Sequence, residues 1–361
     1  MRIGGSGRAP GRKGATRVEY RVFGGTGIRV SRYCLGAMMF GAMGNRDEAE
    51  CIRIAHAALD AGVNFVDTSD AYSGGESERI LGKAIADRRD RIVVATKCFF
   101  PTGRDVNEGG GSRRWILRAV EASLERLGTD YIDLFQLHRR DFATDLEESL
   151  SAMSELLQRG LIRAIGMSAT SAEGVVEAQW LSERRQLARV RSEQCLYSIL
   201  ARGVETAVLP CCRRYGLGVM VYGPLGSGWL TGKYRRGRPA PEGSRATNFW
   251  GRSGRWDESR PEVQRKYEVV EQLAALAGEA GIALPHLAMA FASEHPAVAS
   301  AILGPRTLAQ AEELLRGSEL RLEPALLDRI DALVPPGTGL DPRDLAAANP
   351  ALDDPGQRRR G

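Results

Sequence analysis

From Tyr33 onward the chain alternates between two patterns: short apolar runs rich in β-branched residues, and longer stretches whose apolar positions recur every three or four residues. The short runs predict strands at 34–38, 63–67, 92–97, 132–137, 162–167, 190–194, 218–222 and 300–303. The longer ones predict helices at 48–60, 76–86, 113–127, 146–159, 172–183 and 204–215. Gly62, Gly128, Gly160 and Gly216 stand just past four of these, where glycine ends a helix with little strain. Eight strands with helices between them predict an α/β chain whose parallel sheet closes into a (β/α)8 TIM barrel. A β-hairpin is expected ahead of it, from 19–23 and 27–31, and an extra helix behind it at 324–333, following one at 308–315. Gly25-x-Gly27 is no dinucleotide fingerprint, because no third glycine opens a helix and Val30 leads into a strand.

Composition adds boundaries. The 361 residues suffice for one barrel core, expected over 18–335, with a disordered basic tail at 1–17 and a loose tail at 336–361. The formal net charge of +5 comes from Arg2, Arg8, Arg12, Lys13 and Arg17, so the chain beyond residue 17 is neutral overall and no nucleic-acid partner is expected. No apolar run approaches the roughly 18 residues of a membrane span and no signal-peptide core is visible, so the expected home is the cytoplasm, without a membrane partner. Heavy use of arginine and alanine points to a GC-rich bacterial source. The six cysteines form no Cys-x-x-Cys pair and the four histidines are scattered, so no metal site is expected. Cys98 alone draws notice, because it follows Lys97 at an expected rim.

Candidate chemistry lies where strands stop. The run VNFVDTSDAY ends a strand in Asp67 and places Tyr72 five residues on. IVVATK ends in Lys97, and YIDLFQLH ends in His138. Any one of these reads more simply as a strand-end cap, but an acid, a phenol, an ammonium and an imidazole at three successive strand ends form a set, at the barrel end where such folds do chemistry. Two long loops, 98–112 and 223–261, would hang over the same mouth and carry Phe99, Phe100, Phe249, Trp250 and Trp256.

The order NFVDTSDAY, ATK, DLFQLHRRD, IGMS, over about 20–335, resembles the aldo-keto reductase superfamily, in particular its potassium-channel-beta-subunit-like branch with bacterial NADPH-dependent oxidoreductases. The resemblance implies a catalytic tetrad of Asp67, Tyr72, Lys97 and His138 and a hairpin that plugs the barrel bottom. In that reading Tyr72 is the general acid, Lys97 lowers its pKa, Asp67 holds Lys97, and His138 orients the substrate oxygen.

These four groups lack a hydride source, so NADPH/NADP+ is the expected cofactor. The resemblance places its carboxamide on Ser168 and Gln194 and its nicotinamide ring on Tyr222. The short backbone of Gly223, Pro224, Leu225, Gly226, Ser227 and Gly228 would approach the pyrophosphate, with Lys233 and Arg245 supplying charge. Arg306 before a helix start would meet a 2′-phosphate, and Ala37, Met38, Asp67, Gly304, Gln310 and Glu313 complete the implied cofactor set. The family's usual Asn after the strand-five serine is Ala169 here, its usual adenine-contacting Asn is Leu314, and its usual first-loop Thr is Ala37.

The leading expectation is reduction of a small-molecule carbonyl substrate: an aldehyde, ketone or keto-sugar. The alternative is a nucleotide-binding regulatory subunit of the same fold with little turnover. A metal-dependent barrel hydrolase fits poorly, because no further carboxylate or histidine cluster accompanies His138. Phe99, Phe100 and Trp250 point to an apolar substrate wall, whereas Arg139, Arg140 and Asp141 point to a polar edge. Oligomeric state is not legible.

Overall fold

The computed structural model describes residues 18–344. The tails expected at 1–17 and, from 345 on, at the C-terminus lie outside the described residues, as do the side chains of Phe249 and Trp250.

Strands β1 (Tyr20–Val22) and β2 (Arg29–Ser31) form the antiparallel hairpin. Eight parallel strands then close a barrel: β3 (Tyr33–Gly36), β4 (Phe65–Asp67), β5 (Val93–Cys98), β6 (Ile132–Leu137), β7 (Ile162–Ser168), β8 (Val190–Leu196), β9 (Gly218–Tyr222) and β10 (Val298–Leu303). The seam pairs β3 with β10, in the register Leu35↔Leu303. The TIM barrel and its hairpin are thus as the alternating pattern predicts.

Six helices follow in turn: α1 (Glu48–Asp60), α2 (Glu76–Ile85), α3 (Arg113–Leu127), α4 (Leu146–Gln158), α5 (Ala172–Arg184) and α6 (Val208–Tyr215). The side chains of Asp47, Ser112 and Ser171 cap the starts of α1, α3 and α5, each accepting a free N–H of the first turn. Gly62, Gly128, Gly160 and Gly216 all take positive φ (94°, 63°, 74° and 67°), the left-handed conformation that ends a helix. Expected at 204, α6 instead begins at Val208, because Pro210 tolerates only a place in the first turn; residues 203–205 form a separate short turn.

Two helices were not expected: α7 (Pro261–Glu279) and α8 (Leu284–Glu294), each with proline at its start. Helices α9 (Leu308–Arg316) and α10 (Pro324–Leu333) follow, α10 packing on α7.

The barrel interior is filled from below. Phe23, from the turn of the hairpin, sits with Phe65, Ala95, Leu134, Ala164 and Met220 in one buried cluster, its ring edge-on to Phe65 at 5.3 Å. A side chain at Gly218 would meet the Phe23 ring at 2.7 Å, so the plug requires glycine there. The upper end of the barrel is polar instead, with Asp67, Lys97, Gln136, Ser168, Ser192 and Gln194 all buried.

Residues 336–344 are not a loose tail. Arg202 N–H donates to Thr338 O at 2.7 Å, Leu340 N–H to Leu200 O at 3.0 Å, and the buried Asp341 accepts from Lys266 Nζ at 2.9 Å. The boundary expected at 335 falls short because long-range ion pairs, which leave no local pattern, hold this segment. Among the described residues no single helix is long and apolar enough to cross a membrane.

Candidate active site

Four side chains converge at the upper rim. Asp67 ends β4, Lys97 lies near the end of β5, His138 follows β6, and Tyr72 opens the short turn after β4. Lys97 Nζ makes three contacts, one for each ammonium proton: Asp67 Oδ2 at 2.6 Å, Thr68 O at 2.7 Å and Tyr72 Oη at 3.5 Å. The other Asp67 oxygen, Oδ1, accepts from Gln194 Nε2 at 2.9 Å and Gln136 Nε2 at 3.3 Å. Tyr72 Oη also stands 3.5 Å from His138 Nε2, and the opposite ring nitrogen, Nδ1, stands 3.2 Å from Ser69 Oγ. The Phe100 ring packs edge-on to His138 at 4.8 Å.

Electrostatics follow from burial. Desolvation alone would lower the Lys97 pKa, but Asp67 and Tyr72 outweigh it and the ammonium is held above its ordinary value. Burial raises the Tyr72 phenol above 10.0 while Lys97 pulls against it, so the net shift is upward rather than the expected downward one. The phenol therefore keeps its proton through neutral pH. His138 is pushed well below 6.5, first by burial and then by Lys97 and Arg139, which makes it a neutral imidazole. A fully buried ammonium, a protonated phenol and a neutral imidazole share one edge. Such a set can donate a proton to an oxygen placed against Tyr72 and His138.

The rim opens into a cavity of about 1310 Å³. Its wall includes Met38, Asp67, Tyr72, His138, Ser168, Gln194 and Tyr222, then Gly223 through Gly228, then Lys233, Arg245, Gly304, Arg306, Gln310 and Glu313. All but one of the expected cofactor residues therefore line one space. Ala37 is the exception: it is fully buried, its N–H bonded to Asp67 O and its O accepting from Ser77 Oγ, so no group is left for a ligand. Gln310 reaches inward to accept the Arg306 N–H at 2.9 Å, and Glu313 pairs with His286 at 3.2 Å. Ala169 adopts φ 52°, a conformation that asparagine tolerates better than alanine.

The cavity fits a nicotinamide dinucleotide at its charged end. Among the described residues Lys233, Arg245 and Arg306 have no carboxylate within ion-pair distance. Burial and the charges of Arg306 and Arg245 hold the Lys233 ammonium below its ordinary value. Three such cations close enough to act on one another have the charge that phosphate groups require. Arg306 precedes α9 and also donates to Gly243 O across the cavity.

A model of the aldo/keto reductase family matches residues 32–335. The chain belongs to that family. It is 33% identical over 342 residues to "Uncharacterized oxidoreductase YrpG" of Bacillus subtilis (strain 168), covering 91% of this chain and 100% of that one. It is 35% identical over 325 residues to "Probable voltage-gated potassium channel subunit beta" of Oryza sativa subsp. japonica, covering 88% and 97%. With "Aldo-keto reductase dtxS3" of Metarhizium robertsii the identity is 33% over 336 residues, covering 84% and 88%. This aldo/keto reductase is accordingly a carbonyl-reducing oxidoreductase.

Several neighbours of the reductase site escaped the sequence reading. Gln136 lies two residues before His138 on the same face of β6, a spacing that could have found it. Ser69 is embedded in the VNFVDTSDAY run. Arg255 and Asp344, 3.6 Å apart on the cavity wall, have no local signature. Phe100 lines the wall, whereas Phe99 packs behind it at 5.3 Å. Trp256 also reaches the cavity. Cys98 is fully buried beneath the rim with its thiol pKa raised well above 9.0, first by burial, so it is a packing residue.

Proposed function

We propose that the chain reduces an aldehyde or ketone with NADPH, Tyr72 acting as the general acid. The observation that carries this reading is the Lys97 ammonium, bound to Asp67 at 2.6 Å and 3.5 Å from Tyr72 Oη, at the edge of a cavity whose far end holds three cations with no carboxylate partner among the described residues. When bound, the cofactor supplies the hydride. Tyr72 Oη gives its proton to the carbonyl oxygen while Lys97 stabilises the phenolate left behind. His138 Nε2 orients that oxygen, and Asp67 positions Lys97. Ser168 and Gln194 would hold the carboxamide, with Tyr222 beneath the ring. Arg306, beside the α9 start and without a carboxylate partner among the described residues, favours the 2′-phosphate of NADPH.

The channel-subunit relative supports a second reading, a nucleotide-binding subunit with little turnover. The intact contacts among Asp67, Lys97, Tyr72 and His138 favour turnover, because nucleotide binding alone needs none of them. Loss of NADPH absorbance on a panel of small aldehydes tests the choice. Turnover on any of them, absent in Tyr72→Phe, is the expected result. Tight NADPH binding with no turnover across the panel would favour the binding subunit.

A further inference from the structure

The cations around the cavity fall into two groups. Lys233, Arg245 and Arg306 act on one another at the glycine-rich end. Arg139 stands apart, directly after His138 in the loop between β6 and α4, half-buried and on the cavity wall. Its Nη1 donates to the His138 carbonyl oxygen at 2.7 Å, and its guanidinium carbon lies 5.9 Å from the Phe100 ring centre. Phe100 in turn packs on His138. The charge of Arg139 is felt at Tyr72 and Tyr222, where it opposes the larger upward effect of burial on both phenols.

Two other arginines are neutralised. Arg140 pairs with Glu177 at 3.0 Å and Arg255 with Asp344 at 3.6 Å. Among the described residues no carboxylate lies within 4.0 Å of Arg139, and its one hydrogen bond uses a single donor of the five on a guanidinium. Lys233, Arg245 and Arg306 would take a bound cofactor's phosphates, which would leave the charge of Arg139 to another group. A half-desolvated guanidinium with free donors, beside an aromatic ring and at the carbonyl end, matches one kind of ligand group: a planar carboxylate, which it can grip through two parallel hydrogen bonds.

We propose that Arg139 binds the carboxylate of a carbonyl acid, so that the substrate class is an aldehyde or ketone bearing a carboxylate beyond an apolar spacer that lies against Phe100 and Pro101. This inference rests on the carbonyl-reductase reading. It adds that specificity is set by charge recognition as well as by the apolar wall.

The test uses two aldehydes of the same ring and reach, 4-carboxybenzaldehyde and its neutral methyl ester, with the full-length protein and NADPH at low ionic strength. The wild type is expected to favour the acid over the ester in kcat/KM by about tenfold or more, mainly through KM. Arg139→Gln should lower that ratio about tenfold, and Arg139→Lys, which keeps charge without the fork, should restore part of it. An unchanged ratio in Arg139→Gln, with both substrates losing equally, would show that Arg139 only props the His138 carbonyl and would overturn the inference. If the wild type reduces neither aldehyde, the carbonyl-reductase reading fails separately. Calorimetric titration of benzoate into the NADP+-loaded protein then decides the inference: weaker binding in Arg139→Gln supports it, and equal binding in both proteins overturns it.

Discussion

Ser69 Oγ lies 3.2 Å from His138 Nδ1 and 3.1 Å from Asp70 Oδ1, so one hydroxyl bridges an imidazole and a carboxyl. Burial, with Glu78 adding, raises the Asp70 pKa to about 7, against the opposing hydrogen bond from Ser69. Below that pH a protonated Asp70 can donate to Ser69, which in turn donates its hydroxyl hydrogen bond to an unprotonated Nδ1, so that the imidazole proton sits on Nε2 facing Tyr72. Above it, ionised Asp70 accepts from Ser69, Ser69 accepts from Nδ1–H, and Nε2 carries no proton. We predict that kcat falls as pH rises through about 7 and that Ser69→Ala removes this inflection. An inflection unchanged in Ser69→Ala would disprove the relay.

The proton donor and its neighbouring ammonium should separate in their effects. Tyr72→Phe should lower turnover about a hundredfold or more while leaving cofactor binding and Tm nearly unchanged. Lys97→Met should lose turnover and also destabilise the fold by about 3–5 kcal/mol, because Asp67 would remain buried without its cation. Thermal unfolding beside steady-state kinetics checks both. A Lys97→Met protein as stable as the wild type would contradict the role given to the buried pair.

Glu193 predicts an alkaline loss of stability. Its carboxyl is fully buried, with Oε1 accepting the Thr170 N–H at 2.9 Å, and burial raises its pKa from 4.5 to about 8 against that opposing hydrogen bond. The folded chain therefore keeps a proton that the unfolded chain releases above pH 4.5. The contribution is full below that pH and is lost as pH rises to about 8, with a slope of at most about 1.4 kcal/mol per pH unit. Glu193→Gln keeps the acceptor without titrating, so its Tm should fall less between pH 5 and pH 8. Parallel Tm profiles for the two proteins would rule the explanation out.

Cofactor choice should depend on Arg306. Arg306→Ala should weaken NADPH by about 1 to 3 kcal/mol and leave NADH nearly unchanged, since only NADPH carries the extra phosphate. Fluorescence titration with both cofactors is the measurement, and equal weakening would make Arg306 a structural residue that holds Gly243.

The sequence made the barrel and the strand ends that meet at its rim legible, and parts of the scaffold less so. Asp67, Lys97 and His138 were legible because each polar residue closes an apolar run, a local pattern that a buried strand end imposes. Helix α8 was not, because nearly every position in Leu284–Glu294 is buried and no polar face remains to give it a period. That Ala37 stays off the cavity wall is hidden for a different reason: its backbone groups are used by Asp67 and Ser77, a pairing that depends on where β4 and α2 come to rest. The anchoring of residues 338–344 likewise depends on partners far along the chain, Lys266 at 75 residues from Asp341 among them.

The seam between β3 and β10 has a consequence for how the chain is made. Leu35 pairs with Leu303, so a ribosome must deliver nearly the whole barrel before the first strand meets its last neighbour. Until then a growing sheet would present two open edges, the outer sides of β3 and β9, both lined by buried apolar residues in the finished protein. Unpaired edges of that kind template pairing with other chains, and loop-closure entropy makes so distant a contact slow to form. The interval between emergence of β9 and arrival of β10 is therefore the stage at which pairing with another nascent copy competes most directly with closure of the barrel.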